Sequence, residues 1–130
     1  MYTTVRNPST LHDPAPFGYS HIATGRGDVV AVAGQYAADG SGRVLDADFD
    51  TQVDVAFARL ETALHAVGLD YSHVIRLGTY VVDHDESTLM AIGRHIARRW
   101  ETPPPQTLIG VASLALPGMR FEVDALAVRA

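Results

Sequence analysis

The chain of 130 residues has no cysteine and no lysine; its ten basic residues are all arginine. The first absence excludes disulfides, thiolate nucleophiles and thiolate zinc sites. The second excludes a Schiff-base amine and a phosphate-loop lysine. Any catalysis therefore falls to Tyr, Glu, Asp, His, Arg, Ser or Thr. Long apolar runs are missing too. Nothing approaches the roughly 20 residues of a membrane span, and the start, MYTTVRNPSTLHD, lacks the basic and apolar regions of a secretory leader. A cytoplasmic protein with no membrane partner is the expectation. Positive charge is scarce, ten arginines against fifteen Asp plus Glu for a net charge of -5, whereas a nucleic-acid binder needs a positive footprint to displace counterions from phosphates. Nucleic acid is therefore not an expected partner.

What is present suffices for a core: 47% of residues are hydrophobic and 19% charged, outside the low-hydropathy, high-charge range of disordered chains. At about 100 to 200 residues per domain, residues 1–130 read as one domain. Pro14, Pro16 and Gly18 predict an irregular arm over residues 1–18. Residues 19–24 and 29–36, separated by Gly25-Arg26-Gly27-Asp28, predict an antiparallel hairpin. Gly34 inside its second strand marks a bulge or a close approach of another group to backbone. A polar, glycine-rich loop follows, with a brief edge strand at residues 43–45. The three- and four-residue spacing of Val53, Ala56, Phe57, Leu60 and Leu64 predicts a helix over residues 50–67, stopped by Gly68. Residues 73–83 predict a strand. Residues 87–100 predict a second helix with Leu89, Ile92, Ile96 and Trp100 on one face, ended by Thr102-Pro103-Pro104-Pro105. Two further strands, over residues 106–114 and 119–128, flank the Leu116-Pro117-Gly118 turn.

The order β-β-α-β-α-β-β with two amphipathic helices predicts an α+β two-layer sandwich whose mixed sheet is covered on one face. Alternation in the last strand puts Phe121, Val123, Ala125 and Ala127 on one side and Arg120, Glu122 and Asp124 on the other. Gln106, Leu108 and Gly110 share a side of their strand, as do Ala31, Ala33 and Gln35 of theirs. An uncovered face mixing small apolar residues with Glu, Asp, Arg and Gln is either a solvent face or a subunit interface, and the small residues favour the interface.

Four segments, Phe17-Gly18-Tyr19-Ser20-His21, Val32-Ala33-Gly34-Gln35, Pro104-Pro105-Gln106-Thr107 and the ending FEVDALAVR from Phe121 to Arg129, occur in the order and spacing of one family. From about Asn7 to Arg129 the chain resembles the RidA/YjgF family, also called L-PSP endoribonucleases. The resemblance implies a chorismate-mutase-like fold and a homotrimer with its sheets packed into a central barrel. It further implies clefts between subunits that bind a small molecule, with no cofactor. The best-known family activity is hydrolytic deamination of enamines and imines such as 2-aminoacrylate, giving a 2-keto acid and ammonia. Within that resemblance Tyr19 matches the cleft tyrosine, and Glu122 matches the carboxylate that orients or activates water. Ala33, beside Gly34, stands for a serine, and Leu108 stands for a small or thiol residue. Gln106 occupies the place of the arginine that pairs with the substrate carboxylate.

An arginine holds a carboxylate with a charged fork, whereas glutamine offers a neutral amide, so anchoring of an imino acid should weaken by roughly 2 to 5 kcal/mol in a desolvated site. Standard 2-aminoacrylate deamination is therefore not the expected activity. Arg120 either replaces the missing cation or pairs with Glu122 or Asp124. Each site residue carries a plainer alternative: Glu122 an inter-subunit ion pair, Tyr19 an aromatic plug, Gln106 a barrel-mouth hydrogen bond. No two of the six histidines lie three or four apart, so no metal is expected. Arg94, Arg98 and Arg99 with His95 form a basic helical stripe, read as a solvated face ahead of an RNA contact. Two functions stay open: a hydrolase acting on an enamine, imine or related reactive small metabolite, and a non-catalytic trimer binding a metabolite or a protein.

Overall fold

A computed structural model describes residues 3–130. Its elements are β1 (Thr3–Arg6), β2 (Ile22–Gly25), β3 (Asp28–Gln35), α1 (Phe49–Ala66), β4 (Val74–Val82), α2 (Glu86–Arg99), β5 (Gln106–Val111) and β6 (Phe121–Arg129). Short 3-10 turns lie at Ala15–Phe17 and Tyr71–His73. Four strands form one sheet in the order β3-β6-β4-β5. β4 and β5 run parallel, joined through α2, and the other pairings are antiparallel. This is the α+β fold that the helix and strand periodicities predict.

The apolar stripes account for the layers. Val53, Ala56, Phe57, Leu60 and Leu64 of α1 are buried against Leu77 and Val81 of β4 and Phe121, Val123 and Ala125 of β6, with Ile92 and Ile96 of α2 completing the core. Asp48 caps α1 by accepting from the Thr51 amide at 2.8 Å. Asp85 and Thr88 cap α2 reciprocally, so the Asp-His-Asp-Glu-Ser turn ends in a capping box. Gly68, at φ 77°, follows the last turn of α1 as the sequence predicts.

Three expectations need correction. The first 18 residues are not wholly irregular, because Thr3–Arg6 forms a strand. Nor do the second and third strands make a hairpin: β2 pairs with β1, from Arg6↔Ile22 to Thr3↔Gly25, while β3 pairs with β6. Burial decides the partner. Val30 and Val32 of β3 pack on the core, and alignment against β6 places them there, whereas pairing with the exposed Ile22 strand would not. The edge strand expected at residues 43–45 is reduced to a single bridge, Ala38↔Val44.

Half of the basic stripe joins the helices. His95 is buried and its Nε2 lies 2.8 Å from Asp50 of α1, while Arg99 donates to Asp54 at 2.8 Å and stacks over the Phe57 ring. Only Arg94 and Arg98 of the four point to solvent. No helix is long and apolar enough to cross a membrane among the described residues.

Candidate functional site

The Pro103-Pro104-Pro105 run, which cannot continue α2, becomes the scaffold of one half-site. Ser20 donates its hydroxyl to the Pro103 carbonyl at 2.6 Å and its amide to Pro104 at 3.3 Å, and the segment bridges in parallel to Pro105. That clamp lays Tyr19 beside Gln106, the first residue of β5. The two border a cavity of about 220 Å³ whose apolar wall is Phe17, Leu89, Ile92 and Leu108. Both polar groups have an outside partner. Buried Thr79 donates its hydroxyl to Gln106 Oε1 at 3.0 Å, and the Tyr19 hydroxyl lies 2.6 Å from His12 Nε2. His12 in turn packs edge-on against Phe17, Tyr19 and His21.

Glu122 lies elsewhere. It is half-buried on the open face of the sheet, opposite Tyr80 in β4. The β3 register shifts between Val32 and Gln35, and at that bulge Gly34 leaves room for the Glu122 carboxylate. A Cβ on Gly34 would collide with the Glu122 carboxylate. The expected bulge and the expected close approach are thus one feature. Burial, and then the neighbouring charge of Asp124, raise the Glu122 carboxyl above the ordinary glutamate range. Among the described residues no hydrogen bond or ion pair engages that carboxylate. Asp124 is engaged: it accepts from Tyr80 at 2.9 Å and lies 3.6 Å from Arg76, over Gly78, where a Cβ would collide with both Asp124 and Tyr80. That hydrogen bond, then burial, raises the Tyr80 hydroxyl.

The structure therefore brings Tyr19, Gln106 and Leu108 together, and separately Glu122, Gly34 and the adjoining Ala33. Gln106 and Leu108 belong to the helix side, because the parallel register pairs them with core residues Leu77 and Thr79. The uncovered face expected to carry glutamine beside Glu122 therefore lacks it: the register with β4 turns Gln106 to the helix side, and the bulge in β3 turns Gln35 away from the side of Ala31 to pair with core Val123. Arg120 does not pair with Glu122 or Asp124. Its guanidinium donates to the Val82 carbonyl at 3.1 and 3.3 Å and lies over the Phe49 ring, and its amide donates to Gln52. It staples the start of β6 instead of facing either half-site. His12, Phe17, Leu89 and Thr79 are the neighbours that sequence reasoning missed. Phe17 and Leu89 left a trace: Phe17 opens the segment that carries Tyr19, and Leu89 sits on the apolar stripe of α2 yet is 46% exposed, at the cavity. A larger cavity, about 690 Å³, lies under β1 beside Tyr71 and Trp100. Its arginine, Arg99, is already bound to Asp54.

An α+β sandwich with a tyrosine-glutamine cavity at the β5 edge and a carboxylate on a glycine-floored open face defines the class. The Endoribonuclease L-PSP family profile matches residues 10–129, and the chain belongs to that family, the RidA/YjgF group. A Rid-family protein of unknown function, YyfB from Yersinia pestis, is 34% identical over 99% of this chain and 100% of its own, with a TM-score of 0.93. Rv2704 from Mycobacterium tuberculosis, of the YjgF/YER057c/UK114 family, is 27% identical over 98% and 99%, with a TM-score of 0.65. The YjgF product of E. coli shares the fold at 24% identity over 80% and 83%, with a TM-score of 0.67. A search of curated proteins finds no significant match.

Proposed function

We propose that this protein is a cytoplasmic homotrimeric hydrolase of an enamine, imine or related reactive small metabolite, working in clefts between subunits. The observation that carries the reading is the separation of the half-sites. Within one chain Glu122 and the Tyr19–Gln106 pair lie on opposite faces of the sheet, so they can serve one substrate only if a second protomer supplies one of them. The open face supports such a neighbour, since Val29, Ala31, Ala33 and Ile109 expose apolar surface there.

In that cleft water adds to the carbon of a protonated imine as Glu122 takes the water proton, leaving a neutral carbinolamine. Glu122 returns that proton to the amine nitrogen, and the C–N bond breaks to release ammonia as the C=O bond forms and the hydroxyl proton passes back to Glu122. A carboxyl raised toward neutrality is better matched to this proton transfer than an ordinary glutamate. Gln106 brings no charge, so substrates without a carboxylate suit the site better than 2-aminoacrylate does. The test combines light scattering with ammonia release from a panel of neutral and anionic imines. A trimer that turns over neutral imines is expected. A monomer would remove the cleft, and a trimer that binds the panel without releasing ammonia would leave the non-catalytic binding module as the reading.

A further inference from the structure

One hydrogen bond and the His12 tautomer set what the cavity can offer a ligand. Thr79 is fully buried, and a hydroxyl has one proton; its nearer acceptor is Gln106 Oε1 at 3.0 Å, the Thr107 carbonyl lying at 3.5 Å. With its oxygen committed to Thr79, Gln106 is held with its NH2 as the free end, and no residue among those described accepts from it. The Tyr19 hydroxyl lies 2.6 Å from His12 Nε2. In the His12 tautomer that carries its proton on Nδ1, Nε2 accepts the Tyr19 O–H hydrogen bond, and the Tyr19 oxygen is left as an acceptor. The cavity then offers one neutral donor and one acceptor against an apolar wall of Phe17, Leu89, Ile92 and Leu108.

A carboxylate fits this poorly. It can take the Gln106 donor, but it has nothing to give the Tyr19 oxygen, and its charge would be desolvated by the wall without a cation. The arginine nearest in the adjoining depression, Arg76, faces the Asp124 carboxylate at 3.6 Å. A carboxamide or lactam supplies both complements, its C=O for Gln106 and its N–H for Tyr19.

We propose that the cavity selects a small neutral ligand carrying an amide-type C=O and N–H with an apolar tail, and that Thr79 is the positioning residue that sets this preference by orienting Gln106. The inference rests on the Tyr19–Gln106 cavity being the ligand site. Butyramide and butyrate have the same carbon skeleton and differ in charge and in the N–H. Each is titrated into the full-length protein at pH 8, followed by the NMR methyl shifts of Leu89 and Leu108. Butyramide is expected to bind at least ten-fold more tightly. Thr79→Val should bring the ratio of the two affinities toward one, Thr79→Ser should restore it, and Gln106→Glu should lose butyramide. Butyrate binding as tightly as butyramide would overturn the selectivity while leaving the cavity as a ligand site. Shifts from neither probe would overturn the cavity reading itself. An unchanged ratio in folded Thr79→Val would remove Thr79 from the role.

Discussion

On the helix side of the four-stranded sheet, Phe57, Phe121, Leu77 and Val123 are fully buried, and the one hydroxyl among them, Thr79, is bonded to Gln106. On the other side the same strands present Glu122 with no partner among the described residues, an Asp124–Tyr80–Arg76 cluster over Gly78, and exposed Val29 and Ile109. One face is finished within a single chain and the other is not. The contrast separates residues that hold the fold of the single chain from residues that it leaves open.

The largest expected effect lies on the finished face. Phe57→Ala removes a ring packed on Trp100 and Phe121 and should cost about 3 to 5 kcal/mol in urea unfolding, a large share of a typical stability of about 5 to 15 kcal/mol. Val29→Ala on the open face, 69% exposed, should stay within about 0.5 kcal/mol for the isolated chain. Equal costs would erase the contrast.

Next comes the carboxylate. Glu122→Gln should lower ammonia release by about 100- to 10,000-fold, the usual span for a general base, while the fold persists. Gly34→Ala should mimic it, because the new Cβ displaces a flexible carboxylate end instead of backbone. Unchanged turnover in Glu122→Gln would make Glu122 structural.

Gln106→Arg should gain activity on imino acids by up to about 2 to 5 kcal/mol of anchoring, tens to thousands of fold in kcat/KM. Leu108 borders the same cavity and limits the gain. Wild-type activity on imino acids that already equals the variant's would show that another cation does the anchoring, and Arg76 lies nearer than Arg120 for that part.

The smallest effect is on stability against pH. Because burial and Asp124 raise the Glu122 carboxyl, the folded state keeps its proton to higher pH than the unfolded chain. The fold carries no penalty from this group in acid, below the ordinary glutamate range, and loses stability as pH climbs from there through the raised value. Glu122→Gln should flatten that decline, giving a variant equal to wild type in acid and more stable at neutral pH, by under about 1 kcal/mol since solvent screens a half-buried carboxyl. A less stable variant at neutral pH would mean that the charge has a favourable partner.

Much of the finished face was legible in the sequence, since burial is written as periodicity: the α1 stripe from Val53 to Leu64 and the alternation of β6 fall where their spacing puts them. Gly34 was legible for a related reason, a residue without a side chain inside an apolar strand. What failed was what depends on distant pairing. The partner of β2, the strand at Thr3–Arg6 and the side on which Gln106 projects are set by registers between segments far apart in sequence. The His12–Tyr19 contact joins a loop residue to a strand approach with no periodic signal. Arg120 precedes β6, so strand alternation gave no hold on its side chain, which turns to the Val82 and Asp83 carbonyls.

Mixed oligomers test most directly whether the two faces of neighbouring protomers build one site. Glu122→Gln and Tyr19→Phe chains, each first assayed alone to establish loss of turnover, are unfolded together, refolded and assayed for ammonia release from a neutral imine that the wild type hydrolyses. Recovery of a fraction of wild-type turnover is predicted, because some clefts then pair an intact Glu122 with an intact Tyr19. Mixtures as inactive as their parents, with exchange of chains verified by mass, would contradict a site shared between protomers.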